Sequence, residues 1–395
     1  MSLSLCMIVK DEAALLGACL ESVRGWVDEI VVADTGSSDE TAAIALAAGA
    51  RVYDVPWTDD FAAARNAALE KVTGDWVLVL DADEVLLPQA KAEISAAMAR
   101  PELLAAVLLR REEGNGSPWS AVSRLFRRHP GIRFNRPYHE SIDDAVLALR
   151  QQESHWQVAQ LTTPAIAHSG YRPERINEQA KAERTERLLS AYLEQHPDDT
   201  YSCSKLGALK AEQGDSKAAL KLLRHGLKRN PSEPELRYEL HFHLGLLHQR
   251  EGDLERAARH YHDAEAVELT PCLKLGAISN LAQIYREEGR LGVALNFANR
   301  AVQIDPGFVA GWYNLGILQR QLGNLVAAVE AYQRGITLNP TAAALHQNLG
   351  TALLQAGQIE GSRESFRTAV TLYREQGNPE GEALARQLEN MGIRV

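Results

Sequence analysis

The sequence predicts two architectures in one chain: an α/β, Rossmann-like domain at the start and an all-α solenoid after it. In roughly the first eighty residues, apolar stretches of strand length alternate four times with stretches of helical periodicity. This alternation is typical of a parallel sheet with right-handed crossovers. From residue 200 onward the sequence repeats with a period that settles at 34 residues, which is typical of stacked pairs of helices.

Local patterns predict each element of the first domain. The predicted strands are apolar runs at 4–9, 29–33, 51–55 and 76–80, and the predicted helices cover 13–23, a stretch ending at 48, and 60–72. We expect Ser38 or Asp39 to cap the second helix and Gly49 to end it. Apolar runs at 103–109 and 120–126 predict further strands, with a glycine-rich loop at 113–119 between them.

Composition excludes several classes of protein. The chain has 395 residues, 45% hydrophobic and 24% charged, which is ordinary for two or three globular domains. A net charge of −10 argues against a nucleic-acid partner. No run of 18 apolar residues predicts a membrane span, and the apolar start is expected to be a first strand rather than a signal peptide. Four scattered cysteines without a Cys-x-x-Cys pair favour reduced thiols in the cytoplasm and argue against a zinc site.

Two aspartates follow the most buried predicted strand. Asp81 and Asp83 are two residues apart, so in an extended chain they point the same way and can share one ion, and Ala82 between them leaves the approach open. A hard cation such as Mg²⁺ or Mn²⁺ offsets their repulsion and can also hold a diphosphate. The alternative is that these acids cap a helix predicted at 89–100. The carboxyl end of a central strand favours the ligand site, because open α/β sheets bind ligands there.

Other phosphate-binding devices are missing from the sequence. There is no Gly-x-Gly-x-x-Gly and no Gly-x-x-x-x-Gly-Lys, which argues against a dinucleotide fold or a P-loop. Arg65 is the candidate for a second counter-charge to phosphate, with an ordinary surface arginine as the alternative. Asp34 ends the second predicted strand and could face a nucleotide base, or it could form an Asx turn.

Four segments resemble the family 2 glycosyltransferases in both order and spacing: 6–12 (CMIVKDE), 31–41 (VVADTGSSDET), 64–66 (ARN) and 80–84 (LDADE). The resemblance covers about residues 1–170. It implies a GT-A fold, a nucleotide-diphosphate sugar donor, a divalent metal (Mn²⁺ or Mg²⁺) and inversion at the anomeric carbon. The segments are most similar to the branch of lipopolysaccharide-core glucosyltransferases and bacteriocin peptide S-glycosyltransferases, which implies UDP and either glucose or N-acetylglucosamine.

The same resemblance implies roles for individual positions. Asp11, Glu12 and Asp34 would lie near the base and ribose, Arg65 near the diphosphate, and Asp81 and Asp83 near the ribose and metal, with Lys10 and Ala82 also in the donor site. Related enzymes often complete the metal shell with a late histidine, so His168 is the expected third ligand beside Asp83 and Asp81. A buried structural histidine is the alternative for His168.

Inverting transfer needs a base for the acceptor's proton, and Glu140 is the candidate. The alternative for Glu140 is a salt bridge to a nearby arginine, and Asp143 and Asp144 are weaker candidates for the base. A basic patch precedes it in the sequence. This patch is expected either to contact phosphates of the donor or an anionic acceptor, or to be a set of solvated loop arginines. Its members are Arg124, Arg127, Arg128, Arg133 and Arg136.

The second half of the chain resembles tetratricopeptide repeats. Leu-Gly or Leu-Ala pairs recur at 206–207, 244–245, 281–282, 315–316 and 349–350, and small residues follow twelve positions later. The predicted domains are a GT-A domain at 1–172, a helical linker at 173–199, about five repeats at 200–378 and a capping helix at 379–395. The concave face of the repeats is expected to bind a peptide or protein, or to be ordinary polar surface, at Asn280, Tyr313, Asn314, His346 and Asn348.

The resulting hypothesis is a metal-dependent, inverting glycosyltransferase with Glu140 and Asp83 in catalysis. Its expected partners are a nucleotide-sugar donor, a peptide, protein or saccharide acceptor, and a protein on the repeats. One alternative is a repeat-based interaction protein with a catalytically inactive glycosyltransferase-like domain. A nucleotidyltransferase is a second alternative, but it would usually carry a glycine-rich loop after the first strand, where this chain has Lys10, Asp11 and Glu12.

Overall fold

The computed structural model describes residues 1–112, 118–168 and 178–393, with the side chains of 178–181 excepted. The predicted loop at 113–119 and the start of the predicted linker helix therefore lie largely outside the described residues. The chain forms two compact units, Met1–His243 and Leu244–Val395. The first unit thus runs beyond residue 172 and includes the first helices of the repeats.

The described residues of the first unit build one eight-stranded mixed sheet in the order β3-β2-β1-β4-β7-β6-β8-β5. Its strands are β1 Leu3–Val9, β2 Glu29–Asp34, β3 Arg51–Asp54, β4 Trp76–Val79, β5 Glu84–Leu86, β6 Leu103–Glu112, β7 Trp119–Arg127 and β8 Gln157–His168. Strands β1 to β4 are mutually parallel, as the alternating pattern predicts, and β7 then pairs antiparallel with β4. The predicted α/β class is confirmed.

Helices cover both faces of this sheet. They are α1 Ala13–Val23, α2 Thr41–Ala47, α3 Phe61–Leu69, α4 Lys91–Met98 and α5 Asp143–Gln152, with a 3₁₀ turn at Pro88–Ala90. Along β4, Leu78 packs into the core on one face, while Val77 and Val79 pack into the core on the other. All four residues of β4 are buried, so a run without polar residues is what this central position requires.

Several details differ from the sequence prediction. Helix α2 begins at Thr41 with Glu40 at its N-cap position. Asp39 binds the start of this helix from one residue earlier, since its Oδ1 accepts the N–H of Thr41 at 2.9 Å, and its Oδ2 accepts the N–H of Ala13 at the start of α1. Strands β5 and β8 and helix α5 were not predicted. Strand β5 is only three residues long and depends on antiparallel pairing with β8, a long-range contact that a local pattern does not reveal.

The described residues from 178 onward are mainly helical. Helix α6 spans Glu178–Gln195, and five consecutive helix pairs follow: α7 Thr200–Glu212 and α8 Ser216–Lys228, α9 Pro234–Arg250 and α10 Leu254–Ala266, α11 Leu275–Glu287 and α12 Leu291–Ile304, α13 Val309–Gln321 and α14 Leu325–Leu338, α15 Ala343–Gln355 and α16 Ile359–Glu375. Helix α17, Glu380–Asn390, comes last. An extra 3₁₀ turn at Pro271–Lys274 explains why the second unit of the repeat pattern is longer than 34 residues.

Small residues let paired helices approach closely. A Cβ added at Gly316 on α13 would lie 2.4 Å from the ring of Tyr332 on α14, and one added at Gly350 on α15 would lie 2.8 Å from Phe366 on α16. The small residues twelve positions later are also buried, as at Ala328. The periodic glycines thus mark helix–helix contacts rather than flexibility. In the described part of the chain, no helix is both long and apolar enough to cross a membrane.

We predict that Gly316→Ala destabilises the second unit by about 1 to 3 kcal/mol, because the new methyl group meets a fully buried tyrosine that cannot move aside. Gly292→Ala on α12 is the matched control. Nothing lies within 4 Å of its added Cβ, so alanine should be neutral or stabilising by up to about 0.5 kcal/mol. Urea unfolding followed by circular dichroism measures both variants, and equal stability would contradict the packing argument.

Candidate functional site

The candidate site lies at one edge of the sheet. Because β1, β2 and β4 are parallel, their carboxyl ends meet at the same edge. Val9, at the end of β1, is in register with Asp34, at the end of β2. The structure therefore brings the segment Lys10–Glu12, Asp34 and the Asp81–Asp83 segment to one edge, where open α/β sheets bind ligands.

The loops after β1 and β2 hold each other in place. Asp34 is 5% exposed, and its Oδ1 accepts the N–H groups of Gly36 (3.0 Å) and Ser37 (2.8 Å), which is the Asx turn considered in the sequence analysis. Asp11 Oδ1 accepts the N–H of Ser38 at 2.7 Å and its hydroxyl at 3.0 Å. These hydrogen bonds lower the pKa of Asp11.

Glu12 and Lys10, the other two residues predicted to lie at this edge of the sheet, differ in their surroundings. The N–H of Glu12 donates to Thr41 Oγ1 at 2.7 Å, which ties the start of α1 to the start of α2. Lys10 is exposed at the end of β1. The loops after β1 and β2 are therefore held in place by their own hydrogen bonds, and Lys10 faces solvent beside them.

Arg65 is the centre of the charged cluster. It projects from α3 and is only 4% exposed. Its Nη2 pairs with Asp81 Oδ1, and its Nε pairs with Glu140 Oε1 at 2.5 Å. Within the described parts of the chain, the buried Nη1 of Arg65 has no hydrogen-bond partner. A buried guanidinium N–H without an acceptor fits an anionic ligand such as a diphosphate.

Asp81 is held by arginines on both of its oxygens. Arg124 Nη2, from β7, lies 2.6 Å from Oδ2, opposite the contact with Arg65. Burial alone would raise the pKa of the Asp81 carboxyl, but the positive charges of Arg124 and Arg65 hold it far below its ordinary value. Asp81 is therefore ionised at neutral pH, and its charge orients the two guanidinium groups.

Glu84 is fully buried directly beneath this cluster. Its Oε2 accepts the N–H of Asp81 at 2.9 Å, and its Oε1 lies 2.7 Å from Arg110 Nη1 and 3.5 Å from Arg124 Nη2. A buried carboxylate is stable only with such compensation. Glu84 thus fixes the backbone turn that presents Asp81 and Asp83.

A second chain of contacts leads from Asp83. Asp83 Oδ2 lies 3.3 Å from His168 Nε2, and His168 Nδ1 lies 2.5 Å from Glu112 Oε2. The other oxygen of Glu112 binds Arg110 Nε (2.8 Å) and the hydroxyl of Ser120 (2.5 Å). Burial alone would lower the pKa of His168, but its hydrogen bonds with Asp83 and Glu112 raise it to about 9. Burial likewise opposes ionisation of Glu112, yet the bond from His168 helps lower its pKa to about 2.

The donor set of Asp83 and His168 fits a divalent cation. An imidazole whose second nitrogen is held by a carboxylate is the usual arrangement of a protein metal ligand. A cation would bind the neutral imidazole of His168, so its binding would compete with protonation of this side chain. Asp81 differs, because both of its oxygens are occupied by guanidinium groups. Among the described residues, the ligand atoms of Asp81, Asp83 and His168 do not all lie within 4.8 Å of one another.

The arginines of the basic patch have separate partners. Arg124 belongs to the site, whereas Arg127 and Arg128 donate to backbone carbonyls of Leu103 and Gly74. Arg133 donates to a neighbouring carbonyl, and Arg136 pairs with Asp199 of α7. Of the weaker base candidates, Asp143 accepts the hydroxyl of Ser141 and Asp144 pairs with Arg136. Neither carboxylate joins Arg65.

On the repeats, the expected peptide-binding residues mostly bond within the repeats themselves. Asn348 donates to the carbonyl of Ala344 on its own helix, and Asn314 donates to Ser279 on α11. His346 bonds to the carbonyl of Pro340. Tyr313 packs against the buried cluster around Tyr332, and Asn280 is half-buried.

Sequence reasoning missed Arg110, Glu112 and Ser120, and it gave Glu84 no role. One signal was present: Arg110 and Glu112 are two apart at the end of an apolar strand, so they share a face. Their partners come from β5, β7 and β8, and only the pairing of those strands brings them together, as in the register of Glu112 with His168.

A mixed sheet with carboxylates and a buried arginine at its carboxyl edge, followed by helical pairs, is the arrangement expected of a glycosyltransferase domain joined to a repeat solenoid. The sequence profile of glycosyl transferase family 2 matches residues 4–159, and tetratricopeptide-repeat profiles match 205–271, 242–307, 309–342 and 343–376. The chain therefore carries a family 2 glycosyl transferase domain followed by tetratricopeptide repeats. This confirms the family expected from the sequence.

Known proteins match over different lengths. A TPR repeat-containing protein of Synechococcus elongatus is 50% identical over 304 residues, covering 77% of this chain and 75% of that protein. The glycosyltransferase SunS of Bacillus subtilis is 26% identical, over 49% of this chain and 45% of its own length, so this chain spans less than half of SunS. An uncharacterized glycosyltransferase of Rickettsia felis is 39% identical over 22% of this chain and 31% of its own. A crystal structure of the MamA protein matches 45% of this chain and 93% of its own at 20% identity, with a TM-score of 0.39.

We predict that Arg65→Gln lowers the free energy of unfolding by about 3 kcal/mol, because it leaves Asp81 and Glu140 without their shared counter-charge. The expected loss is at the low end for a broken buried ion pair, since Asp81 is a third exposed and keeps Arg124. Five of the six tryptophans lie in the first unit, so urea unfolding followed by tryptophan fluorescence reports on it. Arg24→Gln, which breaks a solvent-exposed pair with Glu21, is the control and should change nothing measurable.

Proposed function

We propose that the first unit transfers a sugar, with inversion, from UDP-glucose or UDP-N-acetylglucosamine to an acceptor, with Mn²⁺ or Mg²⁺ as cofactor. One observation carries the proposal: the Asp83–His168–Glu112 chain lies beside the arginine-bound Asp81 at the carboxyl edge of the sheet. Cation ligands and fixed positive charges at one edge are what a nucleotide-diphosphate donor requires.

Asp83 and His168 are the residues that would hold the cation. When bound, the cation supplies positive charge against the charge that develops on the leaving nucleotide diphosphate. Arg65 adds a second positive charge, and its guanidinium is already oriented by Asp81 and Glu140 before any donor arrives. Such preorganised charge costs no reorganisation during the reaction. The loops that hold Asp11 and Asp34 supply the surface for the base and ribose.

Glu140 is the proposed base. It takes the proton of the acceptor's nucleophilic group as that group bonds to the anomeric carbon and the bond to the diphosphate breaks. Its Oε1 is held by Arg65 Nε, so α3 determines where the carboxylate stands. The same contact links Glu140, the proposed base, to Arg65, which is proposed to face the leaving diphosphate.

The acceptor is a peptide, a protein or a saccharide, and the repeats recruit it or a partner protein. The thiols support a cytoplasmic enzyme. Cys6, Cys19 and Cys203 are buried, Cys272 is partly buried, and all four are free. The rival proposal is an inactive scaffold whose repeats do the work. In its favour, the Synechococcus elongatus relative is named only for its repeats, and Arg65 already saturates Asp81 Oδ1 and Glu140 Oε1.

We predict that Asp83→Asn abolishes Mn²⁺-dependent binding of UDP-glucose, because an amide is a far weaker cation ligand than a carboxylate. Isothermal titration calorimetry with UDP-glucose and UDP-N-acetylglucosamine, each with and without Mn²⁺ or Mg²⁺, measures this. Glu70→Gln, an exposed acid at the end of α3, is the control and should bind as the wild type does. No heat from the wild type with any of these donors would favour the inactive scaffold.

We predict that Glu140→Gln slows UDP release by about 10²- to 10⁴-fold while donor affinity changes by less than about threefold, because the amide cannot accept a proton. Release of UDP from the donor in Mn²⁺ buffer, with water as acceptor, is the assay. Asp143→Asn is the matched control, since Asp143 lies on α5 and makes no contact with Arg65. An equal loss in the Asp143 variant would show that the base has been assigned to the wrong carboxylate.

A further inference from the structure

The loop that carries Glu140 is closed on itself and packed against α3. We call residues 134–141 the Glu140 loop. Two backbone hydrogen bonds between Asn135 and Ser141 close it, at 3.0 and 3.2 Å. On the α3 side, the Asn66 amide bonds both the N–H and the carbonyl of Phe134 at 2.9 Å, and the carbonyl of Pro137 accepts the N–H of Phe61 at 3.0 Å. These bonds hold the two ends of the loop and its middle.

The opposite side of the loop is held by the first repeat helix. The side chain of Arg136 is 7% exposed, and its guanidinium meets Asp199, the N-cap residue of α7. Nε lies 3.1 Å from both oxygens of Asp199, and Nη2 lies 2.8 Å from Oδ2. Nη2 also lies 2.9 Å from Asp144, and the guanidinium carbon lies 4.9 Å from the centre of the Tyr201 ring on α7.

Asp199 contributes more to this anchor than Asp144 does. The side chain of Asp199 is 14% exposed, whereas that of Asp144 is 55% exposed, so water screens the second pair much more strongly. Asp199 is also fixed in place by its own capping bond, from the N–H of Ser202 to Oδ1 at 2.7 Å. The arginine thus binds a carboxylate that cannot move without the helix.

The backbone of the loop needs such an anchor. Arg136 has φ of 70° and His139 has φ of 53°, both in the left-handed region. That region is unfavourable for residues with a Cβ and persists only where the surroundings hold it. Arg136 adopts it with its side chain locked onto α7, and Glu140 follows four residues later with its carboxylate on Arg65.

We propose that Arg136 is a positioning residue, through which Asp199 of the first repeat holds the Glu140 loop so that Glu140 meets Arg65. The proposal rests on the proposed function, in which Glu140 is the base. It makes the first repeat part of the unit that performs the chemistry, although α7 contributes no group to the donor site. The compact unit that runs to His243 is consistent with this.

Asp199→Asn tests the proposal in the full-length protein. Asparagine caps a helix as well as aspartate does, so the substitution removes the ion pair and keeps the cap. Asp215→Asn is the matched control. Asp215 caps α8 with the same bond, from the N–H of Ala218 at 3.0 Å, and takes part in no ion pair among the described residues. Arg136→Gln removes the same pair from the other side and should behave as Asp199→Asn does.

Two readouts are expected to change together. Amide hydrogen exchange in residues 134–141 should become about tenfold faster in Asp199→Asn and stay unchanged in Asp215→Asn. The kcat for UDP release from the donor in Mn²⁺ buffer should fall about tenfold, with donor KM within about twofold of the wild type, because the loop positions the base and not the donor. General destabilisation would not produce this division between kcat and KM.

A double variant separates positioning from any other effect. If Asp199 acts through Glu140, then Asp199→Asn combined with Glu140→Gln should be no slower than Glu140→Gln alone. Multiplicative losses in the double variant, or unchanged exchange in the loop, would overturn the inference. A wild type that releases UDP from none of the donors would overturn the proposed function, and the exchange comparison would still decide whether α7 holds the loop.

Discussion

The site depends on one buried guanidinium. Arg65 lies between Asp81 at the end of β4 and Glu140 on the loop before α5, so a single side chain joins three separate parts of the first unit. Without it, two carboxylates would face each other in a poorly solvated cluster, at a cost that protein stability rarely tolerates. With it, each carboxylate is paired and held in place, and among the described residues the guanidinium keeps one buried N–H without an acceptor.

Charge compensation then spreads outward in layers. Arg124 and Arg110 balance Asp81 and Glu84, and Glu112 in turn orients His168 toward Asp83. Each group is held by the next, so few of these side chains are free to reorganise when a charged ligand arrives. Preorganisation of this kind is the main electrostatic advantage of a protein site over water.

The same logic reaches the repeats. Arg136 ties the loop that carries Glu140 to the N-cap of α7, which gives a physical reason for a transferase domain and a solenoid to share one chain. Beyond α7, the helices pack through small residues at regular intervals. Each helix pair packs mainly against its neighbours in the same way. The free energy of unfolding of the solenoid is therefore close to a sum of similar contributions from each pair and each interface between pairs.

Much of this could be predicted from the sequence because the determining interactions are local. The four parallel strands follow from the alternating pattern of strands and helices. Since parallel strands end at a common edge, Asp11, Asp34 and Asp81 could be expected to lie near one another. Asp83 beside His168 was also expected, but from family resemblance rather than from pattern. By contrast, Glu84 as the buried support of Asp81 could not be predicted, since its partners Arg110 and Arg124 come from strands that pair with distant parts of the chain.

The sequence by itself determined the family of the first domain, the two architectures and the edge of the sheet at which the candidate site lies, because hydrophobic periodicity and short motifs act within one or two elements. Only the tertiary structure decided which carboxylate pairs with which arginine. It placed Glu140 on Arg65 rather than on an arginine of its own loop, and Arg136 on the first repeat rather than on phosphate. Ion pairs of this kind depend on distances between elements far apart in the chain, and no local pattern encodes those distances.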